Sequence, residues 1–162
     1  MISVLFVCLG NICRSPMAEA VFRHQLKEKQ LETTIKVDSA GTGDWHLGKV
    51  PHEGTRALLD RYGISYEGMR ARQVTLEDYT DFDYIVCMDN NNERDVRAIF
   101  GSKSDGNTKV FKFMDLLADK KTCDVPDPYY TGNFDEVYEL VAAGCVKLLE
   151  RICEDQLKHS EV

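Results

Sequence analysis

Residues 2–16 read Ile2-Ser3-Val4-Leu5-Phe6-Val7-Cys8-Leu9-Gly10-Asn11-Ile12-Cys13-Arg14-Ser15-Pro16. An apolar, β-branched run ends on a cysteine. After five intervening residues comes an arginine, and Ser15-Pro16 then opens a helical pattern in which Ala18, Phe22 and Leu26 recur every four residues. Serine is a favoured N-cap and proline a favoured first helical residue, so the stretch predicts strand, tight loop, helix. Such a turn is a natural oxyanion cradle. Successive loop N–H groups point inward as a nest, and the helix N-terminus adds partial positive charge. Gly10 and Asn11 are the residues best able to take left-handed conformations there. Arg14 supplies a planar fork matching two phosphate oxygens. Helix N-termini and nearby cations lower a cysteine pKa from ~8.5 to roughly 3.5–7.5, so Cys8 is expected to be a nucleophile, with the Ser15 hydroxyl donating to its sulfur. Leu9, Gly10, Asn11, Ile12 and Cys13 complete the expected phosphate-binding loop.

The same pattern repeats along the chain. Residues 35–38, 84–88 and 109–112 are further strand candidates. Helices are expected from near Pro51 to Gly63, after Asp89, and along a last segment where Phe134, Val137, Tyr138, Val141, Cys145, Leu148, Leu149 and Ile152 share one face. Strands alternating with helices imply an α/β fold with a parallel sheet. The 162 residues fit a single domain, 1–162, whose polar end, 154–162, is expected to fray. Ligands of such sheets lie at the carboxyl ends of the strands, so chemistry is expected in 8–15, 39–47, 89–92 and the loop 124–130.

Hydrophobic residues are 43% and charged residues 29% of the chain, and the formal net charge is −7. That acidity argues against nucleic-acid binding. No apolar run reaches the ~20 residues of a membrane helix, and the apolar start lacks a basic leader region. The expectation is a cytoplasmic protein without membrane attachment, monomeric or weakly self-associating. Six scattered cysteines read as thiols in a reducing compartment. Cys87, Cys145 and Cys153 read as packing, while Cys123 is ambiguous. Cys8 and Cys13 lack a second ligand pair for zinc, and a nucleotide P-loop would need Lys followed by Ser or Thr. The histidines, His24, His46, His52 and His159, are dispersed and read as surface residues, so no metal and no cofactor are expected. Cys8 and Cys13 share one tight loop, within the roughly 4.4–6.8 Å Cα separation of a disulfide. They are therefore the expected redox pair.

The stretch Val7 to Ala20, with Asp38-Ser39-Ala40-Gly41-Thr42-Gly43-Asp44-Trp45, Ala71-Arg72-Gln73-Val74-Thr75, Phe82-Asp83-Tyr84-Ile85-Val86-Cys87-Met88-Asp89 and Asp124-Val125-Pro126-Asp127-Pro128-Tyr129-Tyr130, resembles the low-molecular-weight protein-tyrosine phosphatases over almost the whole chain. The resemblance implies a three-layer fold: a four-stranded parallel sheet, helices on both faces, and no metal. It implies hydrolysis of phosphotyrosine in proteins through a phosphocysteine, with Cys8 as nucleophile, Arg14 as phosphate clamp and Asp127 as general acid and base. An Asp between two prolines would otherwise read as turn chemistry, and Asp124 is the alternative acid. Asn11 and Ser39 correspond to a pair bracing the loop. Met69 stands where some relatives carry a histidine in that brace. Asp89 either orients Arg14 or Ser15, or caps a helix. Trp45, Tyr129 and Tyr130 are expected to wall a slot for a phenyl ring, with Leu9 and Ile12 at its mouth.

Other activities share the scaffold. Arsenate reduction needs a cysteine relay, and Cys87 and Cys123 lack the spacing. Protein-arginine phosphatases carry Thr where this chain has Ile12. A non-catalytic phosphopeptide binder would need neither nucleophile nor acid.

Overall fold

The computed structural model describes residues 1–101, 107–120 and 122–160. Strand β1, Ile2–Cys8, is buried from Val4 to Cys8, as a strand must be when it carries neighbours on both edges and helices on both faces. It pairs in parallel with β2, Ile35–Gly41, in the register Val4 to Val37. On its other edge it pairs with β3, Tyr84–Cys87, in the register Val4 to Tyr84. Strand β4, Lys109–Lys112, closes the sheet beyond β3, giving the order β2-β1-β3-β4. The chain leaves β1 towards one edge and later returns to the other. The end of β1 is thus the switch point at which open α/β sheets leave a crevice.

Strand alternation divides the core. Val4, Phe6 and Cys8 face helices α1, Arg14–Glu28, and α6, Phe134–Ser160. Helix α2, Glu53–Arg61, adds Leu58 and Leu59 to that layer. Leu5 and Val7 face the opposite layer, with Tyr79 of the short α3, Asp78–Asp81, and Val96 and Phe100 of α4, Asn90–Phe100. A 3-10 turn, Phe113–Leu117, and a one-turn helix α5, Pro128–Thr131, complete the chain; the sequence pattern missed these and α3, being too short to show a period. The expected three-layer α/β fold is present.

Three expectations need correction. Helix α1 begins at Arg14, not Ser15, with Cys13 as N-cap and no side-chain cap bond. Pro16 still fits, because its missing N–H falls among the four without intrahelical partners, and Ser15 is released for other contacts. Second, α6 does not end where the sequence turns polar. It continues to Ser160, and within that stretch Asp155 accepts hydrogen bonds from Tyr84 Oη and Lys109 Nζ, both at 2.6 Å, tying it to β3 and β4. Glu161, Val162 and the His159 side chain lie outside the described residues. Third, Cys153 is exposed, whereas Cys87 and Cys145 are buried as expected.

Candidate active site

The loop from Leu9 to Cys13 is held by its carbonyls. Cys8 O accepts from Thr42 N (3.0 Å), Leu9 O from Gly43 N (2.9 Å), Ile12 O from His52 N (2.7 Å) and Cys13 O from Thr55 Oγ1 (3.2 Å). Gly41 permits the close approach, since a Cβ there would lie 2.6 Å from Leu9 O. Among the described residues, the backbone N–H groups of 9–14 donate to no protein acceptor. With the carbonyls of Cys8, Leu9, Ile12 and Cys13 engaged and its N–H groups free, the loop has the donors that an anion nest requires.

Asn11 carries the turn, at φ 55°. Gly10 is not left-handed; it clears His46, whose Cδ2 would lie 2.9 Å from an added Cβ. Asn11 Oδ1 accepts from Arg72 N at 3.0 Å, which makes Nδ2 the donor to Ser15 Oγ (2.8 Å) and Ser39 Oγ (2.9 Å). With Ser15 Oγ accepting from Asn11, its own proton is left for the Cys8 sulfur, 3.0 Å away. Ser39 donates to Glu19 Oε1 at 2.6 Å, and Arg23 pairs with the other Glu19 oxygen. No pattern of spacing pointed to Glu19 or Arg23 as part of this brace. The available signal was a glutamate beside apolar residues in α1, four positions before an arginine.

Arg14 is 2% exposed. Its Nη1 donates to Asp89 Oδ2 at 2.8 Å and to Val125 O at 2.9 Å, and its Nη2 to Asp127 Oδ2 at 3.4 Å. Burial works against the charge, but Cys8, Asp127 and Asp89 outweigh it and raise the Arg14 pKa above its ordinary value. Asp89 serves both uses that the sequence left open: one oxygen holds Arg14, the other caps α4 by accepting from Asn92 N at 2.8 Å. Asp127 accepts from Tyr129 N at the start of α5. Asp124 is directed elsewhere, accepting from Asn90 N (3.0 Å) and Lys112 Nζ (3.4 Å).

These groups open into a cavity of about 380 Å³, lined by Cys8, Leu9, Gly10, Ile12, Cys13, Arg14, Trp45, His46, Asp127, Tyr129 and Tyr130, within the ~300–1,000 Å³ usual for small-ligand sites. Trp45, Tyr129 and Tyr130 are 67%, 51% and 76% exposed, so they form an outer wall and not core. Gly43 makes room for the Trp45 ring, which an added Cβ would meet at 2.0 Å. His46 belongs to this wall, and His52 packs behind it against Tyr129 and Phe134, so both are half-buried, contrary to the surface expectation. Their rings lie 6.1 and 5.9 Å from Tyr129, and His52 Nδ1 accepts from Gly54 N to cap α2. Cys13 sits at the pocket floor, its pKa pushed up to about 12 by burial and by the Cys8 and Asp127 charges, so it rests as a neutral thiol. Neither Cys87 nor Cys123 lines the pocket.

The family model for low molecular weight phosphotyrosine protein phosphatase matches residues 3–158. The chain belongs to that family. It is 54% identical over 156 residues to the low molecular weight protein-tyrosine-phosphatase YfkJ of Bacillus subtilis, covering 96% of this chain and 99% of YfkJ. The YfkJ crystal structure matches with a TM-score of 0.91 at 53% identity over 96% of each chain. The phosphatase PtpA of Staphylococcus aureus is 44% identical over 96% of both chains. A Drosophila arginine phosphatase structure has a TM-score of 0.85 at 33% identity, covering 92% of this chain and 97% of its own. In this family member the brace behind the loop has Met69 buried nearby, and Arg23 is the cation beside Glu19.

That brace has a pH signature. Burial raises the Glu19 pKa above 4.5, against the opposing effects of Ser39 and Arg23. A carboxyl with a raised folded-state pKa contributes stability that is full below the unfolded value, about 4.3, and is lost as pH rises through the folded value. The stability of wild type relative to Glu19→Gln should therefore fall with rising pH across that window and then level off. Arg23→Ala should widen the window by raising the folded pKa further. Urea unfolding of the three proteins at a series of pH values measures this; a difference that grows with pH would mean a depressed pKa instead.

Proposed function

We propose that this chain hydrolyses phosphotyrosine in proteins through a phosphocysteine intermediate. The observation that carries the reading is the convergence of the Cys8 sulfur, the free loop N–H groups, Arg14 and Asp127 on one cavity. The Cys8 sulfur attacks phosphorus in line, and the S–P bond forms as the P–O bond to the tyrosine breaks. Arg14 and the loop N–H groups hold the three remaining oxygens as charge develops on them. Asp127 gives its proton to the departing phenolic oxygen. Water then attacks the phosphocysteine with Asp127 taking its proton, releasing inorganic phosphate and restoring the thiolate. Arg14 and the nest supply the positive charge, and the reaction proceeds without metal or cofactor. The protein acts as a single domain in the cytoplasm, as a monomer or with weak self-association.

The close relatives named as tyrosine phosphatases support phosphotyrosine as substrate. The aromatic wall does too, because it adds depth and ring contact for a phenyl group. The arginine phosphatase neighbour supports a second reading, phosphoarginine hydrolysis with the same residues. Ile12 in the pocket lining crowds that branched head group. Phosphate release from matched phosphotyrosine, phosphoserine and phosphoarginine peptides separates the readings. Phosphotyrosine should exceed phosphoserine at least a hundredfold in kcat/KM, since a displacement of about 1 Å costs about that much. Cys8→Ser should be inactive on all three. A wild-type preference for phosphoarginine would overturn the substrate assignment alone.

The role of Asp127 has its own test. Asp127→Ala should slow phosphorylation by aryl phosphates with basic leaving groups, by about 10²–10⁴-fold, and spare those with acidic ones. Burst rates across substituted phenyl phosphates should steepen in the variant. An unchanged slope would remove the proton donor from Asp127.

Cys13 is proposed as a resolving thiol. Peroxide oxidises Cys8 to the sulfenic acid with release of water; the Cys13 thiol then displaces a second water to form the disulfide. Peroxide-treated wild type should regain activity with a thiol reductant, whereas Cys13→Ser should recover poorly. Equal recovery would show that Cys13 gives no protection.

A further inference from the structure

Next to the catalytic cavity, and continuous with it across Ile12, His46 and Tyr129, is a second groove of about 640 Å³ flanked by Lys49, Arg56 and Arg70. One carboxylate, Glu53, also lines it. Three permanent cations against one carboxylate stand out on a chain whose formal net charge is −7. Of the seven arginines elsewhere, six form ion pairs, Arg14, Arg23, Arg61, Arg72, Arg94 and Arg97, and the seventh, Arg151, lies over the Phe111 ring at 4.8 Å. Among the described residues, Lys49, Arg56 and Arg70 have no carboxylate within ion-pair distance. The two arginines are tethered through one nitrogen each, Arg56 Nε to Pro51 O (2.9 Å) and Arg70 Nη1 to Gly48 O (3.4 Å), which leaves other N–H groups of each guanidinium for a ligand.

We infer that this groove is an anion subsite for the substrate, taking an acidic group carried a few residues from the phosphotyrosine while the phosphotyrosine fills the catalytic cavity. The inference rests on the phosphatase reading. The shared wall is the physical link: a peptide advances about 3.3–3.6 Å per residue, so its neighbouring residues must cross Tyr129, His46 or Ile12 to leave the cavity. The groove recognises negative charge on that path, whether a Glu or Asp carboxylate or a second phosphate. Exposed ion pairs are individually weak, so two or three of them, each short of ideal geometry, are expected to give a gain of about three- to tenfold. The gain should appear in KM, because the charges meet substrate and transition state alike. It should fade above 0.3 M salt, where the screening length falls well below the roughly 10 Å of 0.1 M solution.

The test compares matched phosphotyrosine peptides bearing Glu, Gln or a second phosphotyrosine at positions one to four on either side. They are assayed with wild type and the triple variant K49Q/R56Q/R70Q at low and high salt. The readout is the ratio of kcat/KM for the acidic peptide to that for its Gln partner within each protein, so a general loss of activity in the variant cancels. Wild type should show a ratio of about three to ten on one flank at low salt, carried by KM, and the variant a ratio near one. A gain on Glu peptides assigns the subsite to acidic side chains; a gain confined to the doubly phosphorylated peptide assigns it to a second phosphate. A ratio near one in wild type, or the same ratio in the variant, overturns the inference. If wild type fails to turn over phenyl phosphate, the phosphatase reading falls. The groove is then tested by calorimetric affinities of the same peptides, where a Glu preference lost in the variant upholds it and equal affinities reject it.

Discussion

A cluster of N–H dipoles aimed at one point is self-repelling, and the rest of this molecule is arranged to hold one in place. Buried donors without partners cost about 1–3 kcal/mol each, so residues 9–14 would turn away if their own hydrogen bonds decided the matter. Their carbonyls prevent it. Engaged by Thr42, Gly43, His52 and Thr55, the carbonyls of Cys8, Leu9, Ile12 and Cys13 fix the peptide planes while the N–H groups keep no protein acceptor. Asn11 supplies the left-handed turn, and its amide orientation is set by the Arg72 N–H. Each of these partners comes from a segment distant in sequence, so the loop's shape is a property of the folded domain.

Arg14 extends the same logic to the acid. It is buried, yet it stays charged because two carboxylates, Asp89 and Asp127, pair with it. A buried charge is tolerated only when paired and hydrogen-bonded. The groups that satisfy it are those whose positions matter: Asp89 at the end of β3, Val125 O in the loop that follows β4, and Asp127 two residues further on. Val125 N also donates to Met88 O at 2.9 Å. One guanidinium thereby holds the Cys8–Arg14 loop, Asp89 and Asp127 in a common frame.

The pocket wall is built differently. Trp45, Tyr129 and Tyr130 are largely exposed, fastened by neighbours such as His46 and His52 more than by the core. Large exposed aromatic groups clustered at one cavity mark a binding surface. A rigid polar floor beneath an aromatic, less buried rim suits a site that must position a phosphate closely while admitting varied peptides.

Much of this was readable in the order of residues. The four strands, the long helices and the strand-loop-helix with Cys8 and Arg14 follow from local rules: hydrophobic period, turn residues and the spacing of a nucleophile from a cation. Asp127 was singled out only through likeness to a family, because an aspartate between prolines reads by itself as turn chemistry. Short elements such as Asp78–Asp81 were missed because four residues cannot display a period. The tertiary structure alone decided which side chains do two things at once: Asp89 clamping Arg14 while capping a helix, Ser15 released from capping to face the sulfur, and Glu19 holding Ser39 behind the loop. It also decided that Lys49, Arg56 and Arg70 gather beside the pocket. The reason is physical: periodicity and propensity act over a few residues, whereas these contacts join segments tens of residues apart and exist only once the sheet has ordered its strands.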